Sequence, residues 1–191
     1  MVNFLIFGPP GSGKGTQSVK LAEKFNLLHL STGDMLRAEI AAGTEIGKKM
    51  SEIMARGELV PDEVVIDMIA SKIDKAKGYA GFLYDGFPRT IAQTIALEEM
   101  LNKRGMKIDC MLVLEVDHDE LVKRLQLRAE QSERPDDKDI SVIENRINVY
   151  REKTEPIINY CKEKGIYQPV NGMGSIDDIF ERLCEVMRKY F

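Results

Sequence analysis

The stretch that most constrains this chain is Gly8–Thr16, GPPGSGKGT, set directly behind the apolar run Val2–Phe7. Strand, glycine-rich turn, lysine and helix in that order make a phosphate-binding loop. Backbone N–H groups wrap a polyphosphate only where side chains leave room, which accounts for Gly8, Gly11, Gly13 and Gly15. The helix opening at Gly15–Thr16 adds N–H groups and its positive dipole end. Lys14 reaches the β- and γ-phosphates, and Thr16 offers a hydroxyl to Mg²⁺. The usual pattern has Ser or Thr directly after the Lys; here Gly15 intervenes. A plain Gly/Pro turn shares the composition but not the whole motif between a strand and a helix. The loop predicts nucleotide binding.

The 191 residues, 43% hydrophobic and 30% charged, suit one core with room for one or two inserted flaps. A formal net charge of −4 argues against DNA or RNA as a partner, so phosphate must be met by locally placed Arg and Lys. Cys110, Cys161 and Cys184 lie far apart with no CxxC pair, which suggests buried thiols rather than disulfides or zinc ligands. Residues 2–7 are too short for a signal-peptide core, and no membrane-length apolar run follows. A soluble, reducing, cytoplasmic setting is expected.

Strand-like runs recur at Val2–Phe7, Leu27–Leu30, Phe82–Tyr84, Cys110–Val116 and Ile166–Val170. Helical patterns lie between them: Val19, Ala22 and Phe25; Leu121, Val122 and Leu125; Ile143, Ile147, Tyr150 and Ile157. Such alternation predicts an α/β fold, a parallel sheet with helices on both faces. Ser175–Asp178 reads as a capping box, followed at helical spacing by Ile176, Ile179, Leu183 and Val186. From Ser31 to about Gly78 only helix signals occur, with Gly43 and Gly57 as punctuation and Pro61 before a helix start at Asp62 and Glu63. That is too long for one crossover and reads as a helical insertion. Arg128–Asp139, RAEQSERPDDKD, is polar without apolar periodicity and reads as a surface loop.

Asp85 closes the run Phe82–Tyr84 in DGFPR, at the carboxyl edge where open α/β sheets bind ligands. It can hold Mg²⁺ directly or through water, or simply cap the next helix. Arg89 follows at the same edge, with a fork suited to phosphate oxygens. Ser31–Arg37, STGDMLR, combines helix-capping residues with an Arg one turn on, which alone fits an ordinary helix start. Arg124, Arg128, Arg134 and Arg146 surround the polar loop, beside Asp136 and Asp137. Most charge runs are solvated faces. Phosphoryl transfer, however, needs several cations on the equatorial oxygens and exclusion of water, and an Arg-bearing flap meets both needs.

GPPGSGKGT, STGDMLR, DGFPRTIAQ and the arginines around ERPDD resemble the adenylate kinase family in its short-lid form, over essentially the whole chain. GKGT is that family's form of the loop. The resemblance implies a P-loop NTPase-type core with a five-stranded parallel sheet, formed by residues 1–30, 61–126 and 139–191. Residues 31–60 become the monophosphate-binding flap and 127–138 a short lid. It implies reversible, Mg²⁺-dependent transfer of the γ-phosphoryl group of ATP to AMP, giving two ADP, by a monomer. Gly11, Ser12, Gly13, Lys14, Gly15 and Thr16 would hold the ATP phosphates, with Arg124 and Arg128 on the same side and Gly174 near the ATP adenine. Thr32 would touch the AMP base and Arg37 and Arg89 clamp its phosphate. Gly86 and Gln93 would help read the adenine, with Glu58, Leu59, Val60, Phe87 and Pro88 alongside. Arg134 and Arg146 would bridge the phosphates, so that Lys14, Arg89, Arg124, Arg134 and Arg146 carry catalysis. Asp85 would order Mg²⁺ through water, with Thr16 as a further oxygen. The lid departs from the pattern: Pro135 stands where a small apolar residue is usual, and Arg134 to Arg146 is one residue longer. The lid lacks cysteine, which excludes the zinc-bearing version.

A CMP or UMP kinase would carry Ala at the position of Thr32 and Asn at that of Gln93, so these residues favour AMP. A GTP-hydrolysing switch would need NKxD and DxxG; Asn102–Lys103–Arg104–Gly105 lacks the Asp, and Asp85 is followed by Gly-Phe-Pro. A silent nucleotide-binding module would be signalled by loss of Lys14, Arg89 or the lid arginines, all of which are present.

Overall fold

The computed structural model describes residues 1–131 and 140–191. Apolar runs at Val2–Phe7 (β1), Leu27–Ser31 (β2), Gly81–Asp85 (β3), Cys110–Glu115 (β4) and Tyr167–Asn171 (β5) form one sheet in the order β2-β3-β1-β4-β5. All four pairings are parallel, with Phe4 opposite Leu83 and Leu5 opposite Tyr84. Each expected strand is present to within a residue or so at its ends. The runs are apolar throughout because both faces of a parallel sheet are covered.

Strict alternation along the strands makes two cores. Phe4, Ile6, Leu83, Cys110, Leu112 and Leu114 point to one face, packed with Leu21 and Ala22 of α1 (Lys14–Lys24) and Ile179, Leu183 and Met187 of α9 (Ile176–Met187). Leu5, Phe7, Phe82, Tyr84, Met111 and Val113 point to the other. There they meet α4 (Asp62–Lys75), α5 (Ile91–Asn102) and α8 (Pro156–Glu163) through Ile69, Leu97 and Ile157. α2 (Thr32–Ala41) and α3 (Glu45–Ala55) follow β2, and α6 (His118–Gln131) and α7 (Ile140–Val149) flank the undescribed residues. Helix starts obey their caps: the side chains of Ser31, Thr44, Thr90 and Ser175 each accept from a first-turn backbone N–H. The capping box of Ser175 and Asp178 forms as its sequence predicts.

Three local expectations change. α6 runs on through Gln131, so Arg128–Gln131 is helical rather than surface loop. Arg, Ala, Glu and Gln are good helix formers, and the buried Leu121 and Leu125 anchor the preceding turns. Val19 and Ile176, which keep helical spacing with buried neighbours, are themselves 58% and 55% exposed. The run through Ile143, Ile147, Tyr150 and Ile157 is not one continuous α-helix, because Tyr150–Thr154 is a π-turn with Glu155 N–H donating to Tyr150 O at 2.8 Å. Pro156 explains it: lacking an N–H and crowding the carbonyl four residues back, it favours a wider turn.

Candidate active site

Because all strands are parallel, their carboxyl ends share one edge, and a cleft of about 950 Å³ opens there. β1 delivers the chain into the glycine loop and α1 takes it up at Lys14. Gly13 caps α1 with φ +90°, a conformation L side chains rarely adopt, and no side chain caps the helix. The first-turn N–H groups therefore present their partial positive charge to an anion. Lys14 Nζ turns back on the loop and donates to Gly8 O (2.6 Å), Pro9 O (3.0 Å) and Ser12 Oγ (3.3 Å). Burial pushes its pKa down to about 8; Asp85 opposes this, and Arg89, Arg146 and Arg128 reinforce it.

Asp85 is buried at the end of β3, 3.3 Å from His29 Nε2 on β2. It does not cap α5, a role held by Thr90, so its carboxylate is available at the cleft beside Gly15. His29 was not anticipated; its place within a short strand gave no sign that it would face the acid at the end of the neighbouring strand. Asp85 and the exposed Thr16 supply hard oxygen donors of the kind Mg²⁺ takes.

Across the cleft, Arg89 is built in from several sides. Its Nε donates to Gly86 O (2.7 Å), its backbone N–H donates to Gln93 Oε1 (2.7 Å), and its carbonyl accepts from Thr154 Oγ1 (3.0 Å). The π-turn is what brings the buried Thr154 to this contact. Gln93 is 2% exposed, and its Nε2 donates to Asp62 Oδ1 at 2.6 Å. Its amide thus braces Arg89 at one end and α4 at the other. Thr32 Oγ1 donates to Gly86 O at 2.8 Å, Arg37 pairs with Asp34, and Glu58 pairs with Arg56.

On the other side of the loop, Arg124 donates to Glu120 Oε1 (2.7 Å), Ser12 O (3.4 Å) and Gly172 O (3.0 Å), tying α6 to the glycine turn and to the segment after β5. Arg182 Nη1 holds Asn171 O (2.9 Å) and Met173 O (2.5 Å), and Gln17 Nε2 holds Ile176 O (2.8 Å). Val19, Leu127 and Ile176 line the cleft here as exposed apolar side chains. Apolar residues off a helix's buried face were the available signal: Val19 and Ile176 count only as part of the helical spacing, and Leu127 stands outside it.

One cleft thus gathers Gly11, Gly13, Lys14, Gly15, Thr16, Arg124, Arg128 and Gly174 with Thr32, Arg37, Glu58, Leu59, Val60, Asp85, Gly86, Phe87, Pro88, Arg89, Gln93 and Arg146. Ser12 is buried behind the loop and does not line the cleft. Arg134, Pro135, Asp136 and Asp137 lie outside the described residues, as does the expected lid from residue 132 to 138. Cations converge on this edge although the chain is acidic overall, with a formal charge of −4.

An anion-binding loop at the ends of a parallel sheet, facing a second set of arginines across one cleft, defines a P-loop nucleotide phosphotransferase. The adenylate kinase family model matches residues 6–166. An adenylate kinase of Bacteroides thetaiotaomicron is 49% identical over 189 residues, covering 99% of this chain and 100% of its own. Those of Flavobacterium psychrophilum and Xanthomonas euvesicatoria are 46% and 41% identical, covering 98% and 97% of this chain and 98% and 99% of their own. The chain belongs to the adenylate kinase family.

Proposed function

We propose that the protein transfers the γ-phosphoryl group of ATP to AMP, reversibly, giving two ADP. The observation that carries this is the single cleft joining the glycine loop to Arg37, Arg89 and Arg146. The donor triphosphate lies along residues 8–16, with Arg124 and Arg128 beside it and its base near Gly174, Val19 and Ile176. The acceptor monophosphate lies against Arg37 and Arg89, in a flap formed by residues 31–60, with Thr32, Val60, Gly86 and Gln93 towards its base. Residues 127–138 act as a short lid, and Arg134 joins Arg146 on the phosphates.

The acceptor phosphate oxygen is already anionic and needs no general base. Catalysis comes from alignment of the two nucleotides and neutralisation of charge in a site closed to water. Lys14 leaves the carbonyls of Gly8 and Pro9 and follows the transferring group. Mg²⁺, held with ATP by the oxygens of Asp85 and Thr16, would supply charge neutralisation on the phosphates. The enzyme works on free nucleotides as a cytoplasmic monomer. The three buried free thiols support a reducing compartment, and among the described residues no helix is long and apolar enough to cross a membrane.

A coupled assay of ADP formation, with ATP, Mg²⁺ and AMP, CMP, UMP or GMP, tests the reading. ADP formation that depends on AMP, with the other acceptors at least tenfold poorer, is expected. A preference for CMP or UMP would overturn the roles of Thr32 and Gln93, and ADP formation without any acceptor would overturn the transfer itself.

A further inference from the structure

The C-terminus of α3 closes in a two-bond turn. Gly57 N–H donates to Met54 O (3.0 Å) and Glu58 N–H to Ile53 O (3.2 Å), with Gly57 at φ +71°. That arrangement satisfies two of the orphan carbonyls at the helix end but not the carbonyl of Arg56. Its partner comes from elsewhere: Asn145 Nδ2 of α7 donates to Arg56 O at 2.7 Å. The same turn is seated on α7 at a second point. A Cβ on Gly57 would stand 2.8 Å from Arg146 Cγ and 3.1 Å from Val142 O, so only a glycine lets the turn lie this close. Val142, Asn145 and Arg146 share one face of α7 by helical spacing. On the solvent side the Arg56 guanidinium grips Glu58 at 2.9 and 3.1 Å, spanning the turn from outside.

We propose that Asn145 is a positioning residue: its amide latches the α3 turn to α7 and thereby sets Arg146 over the acceptor phosphate. The inference rests on the reading of residues 31–60 as the acceptor-binding arm. Asn145 is not among the residues lining the cleft, whereas its neighbour Arg146 is. An amide fits the task because a carbonyl needs a donor, and a carboxylate at this position would repel it. The bond joins the piece of chain that carries the acceptor to the piece that carries a catalytic cation. Its formation is therefore coupled to acceptor binding, not to donor binding.

The test compares Asn145→Ala and Asn145→Gln with the parent enzyme. In Asn145→Ala the KM for AMP rises about three- to tenfold, the size of one net hydrogen bond. The KM for ATP moves less than twofold, and kcat falls as Arg146 loses its placement; Asn145→Gln, which keeps the amide, recovers part of both losses. An unchanged KM for AMP, or equal rises in both KM values, would overturn the latch. A second measurement reads the arm itself, with spin labels at Lys49→Cys and Asn148→Cys, both exposed, in a chain whose own thiols are buried. AMP narrows the distance distribution in the parent, and Asn145→Ala broadens it. If AMP leaves the parent's distribution unmoved, the acceptor-arm reading falls and takes the latch with it. If AMP acts on the parent but Asn145→Ala matches the parent throughout, the latch alone is overturned.

Discussion

Lys14 shows how one residue can be legible in kind and unexpected in state. GKGT announces a lysine for phosphates, yet that lysine sits on Gly8 O and Pro9 O with its pKa lowered to about 8, chiefly by burial. Between about pH 8 and its ordinary range near 10.5, burial favours its neutral form. Phosphate oxyanions restore its charge, so binding of ATP at pH 8.5 takes up a proton and weakens as pH rises further. Calorimetry in two buffers of different ionisation enthalpy at pH 8.5 should show that uptake, and at pH 7 it should shrink; equal heats in both buffers at pH 8.5 would refute it. Gln93 and Thr32 carry a related lesson. The family pattern marks them for the acceptor base, while the fold shows Gln93 spanning Arg89 and Asp62, and Thr32 held on Gly86 O. Partners that lie across the fold could not be read from the residue alone.

Among the elements, strands and caps were readable because they depend on local chemistry. The Ser175 side chain accepts from Asp178 N–H at 3.1 Å, while Asp178 Oδ2 accepts from Ser175 N–H at 3.0 Å. Replacing Ser175 with Ala should cost about 1 kcal/mol of stability in urea unfolding. It should also raise the KM for ATP more than that for AMP, because α9 begins beside the end of the cleft proposed for the donor; a change confined to AMP would contradict that proposal. The π-turn at Tyr150–Thr154 was hidden, since apolar spacing sees only which residues are oily. Its cause, Pro156, was visible, but a proline inside a helix can end it, kink it or widen it. Which of these happens is decided by tertiary partners, here including the Arg89 carbonyl that Thr154 reaches. The helical end of the polar loop was missed for a similar reason: Arg128–Gln131 has helix propensity without apolar periodicity.

At the scale of the molecule, the parallel sheet read from strand–helix alternation and the resemblance agreed from the outset, because alternating strands and helices in this order leave few ways to build a sheet. The cleft was less legible as a whole, since Val19, Leu127 and Ile176 look like core residues until the helices are placed. The cysteines give a molecule-wide test. All three are buried, and burial pushes Cys110 and Cys161 up to about 11 and Cys184 upwards as well. Ellman's reagent at pH 8 should therefore titrate almost no thiol in the folded enzyme and all three in guanidinium; rapid reaction of the native protein would show that these cores open readily.

The strand order has a consequence for how such a chain comes into being. β1, which carries the glycine loop, is made before the other four strands, but its two neighbours are Gly81–Asp85 and Cys110–Glu115. A parallel strand cannot pair with what immediately follows it, so β1 must wait, oily and unpaired, until the whole helical stretch up to β3 has been synthesised, and for its second neighbour until β4 follows. The strand that leads into the phosphate loop thus acquires its neighbours in the sheet only from chain made long after it.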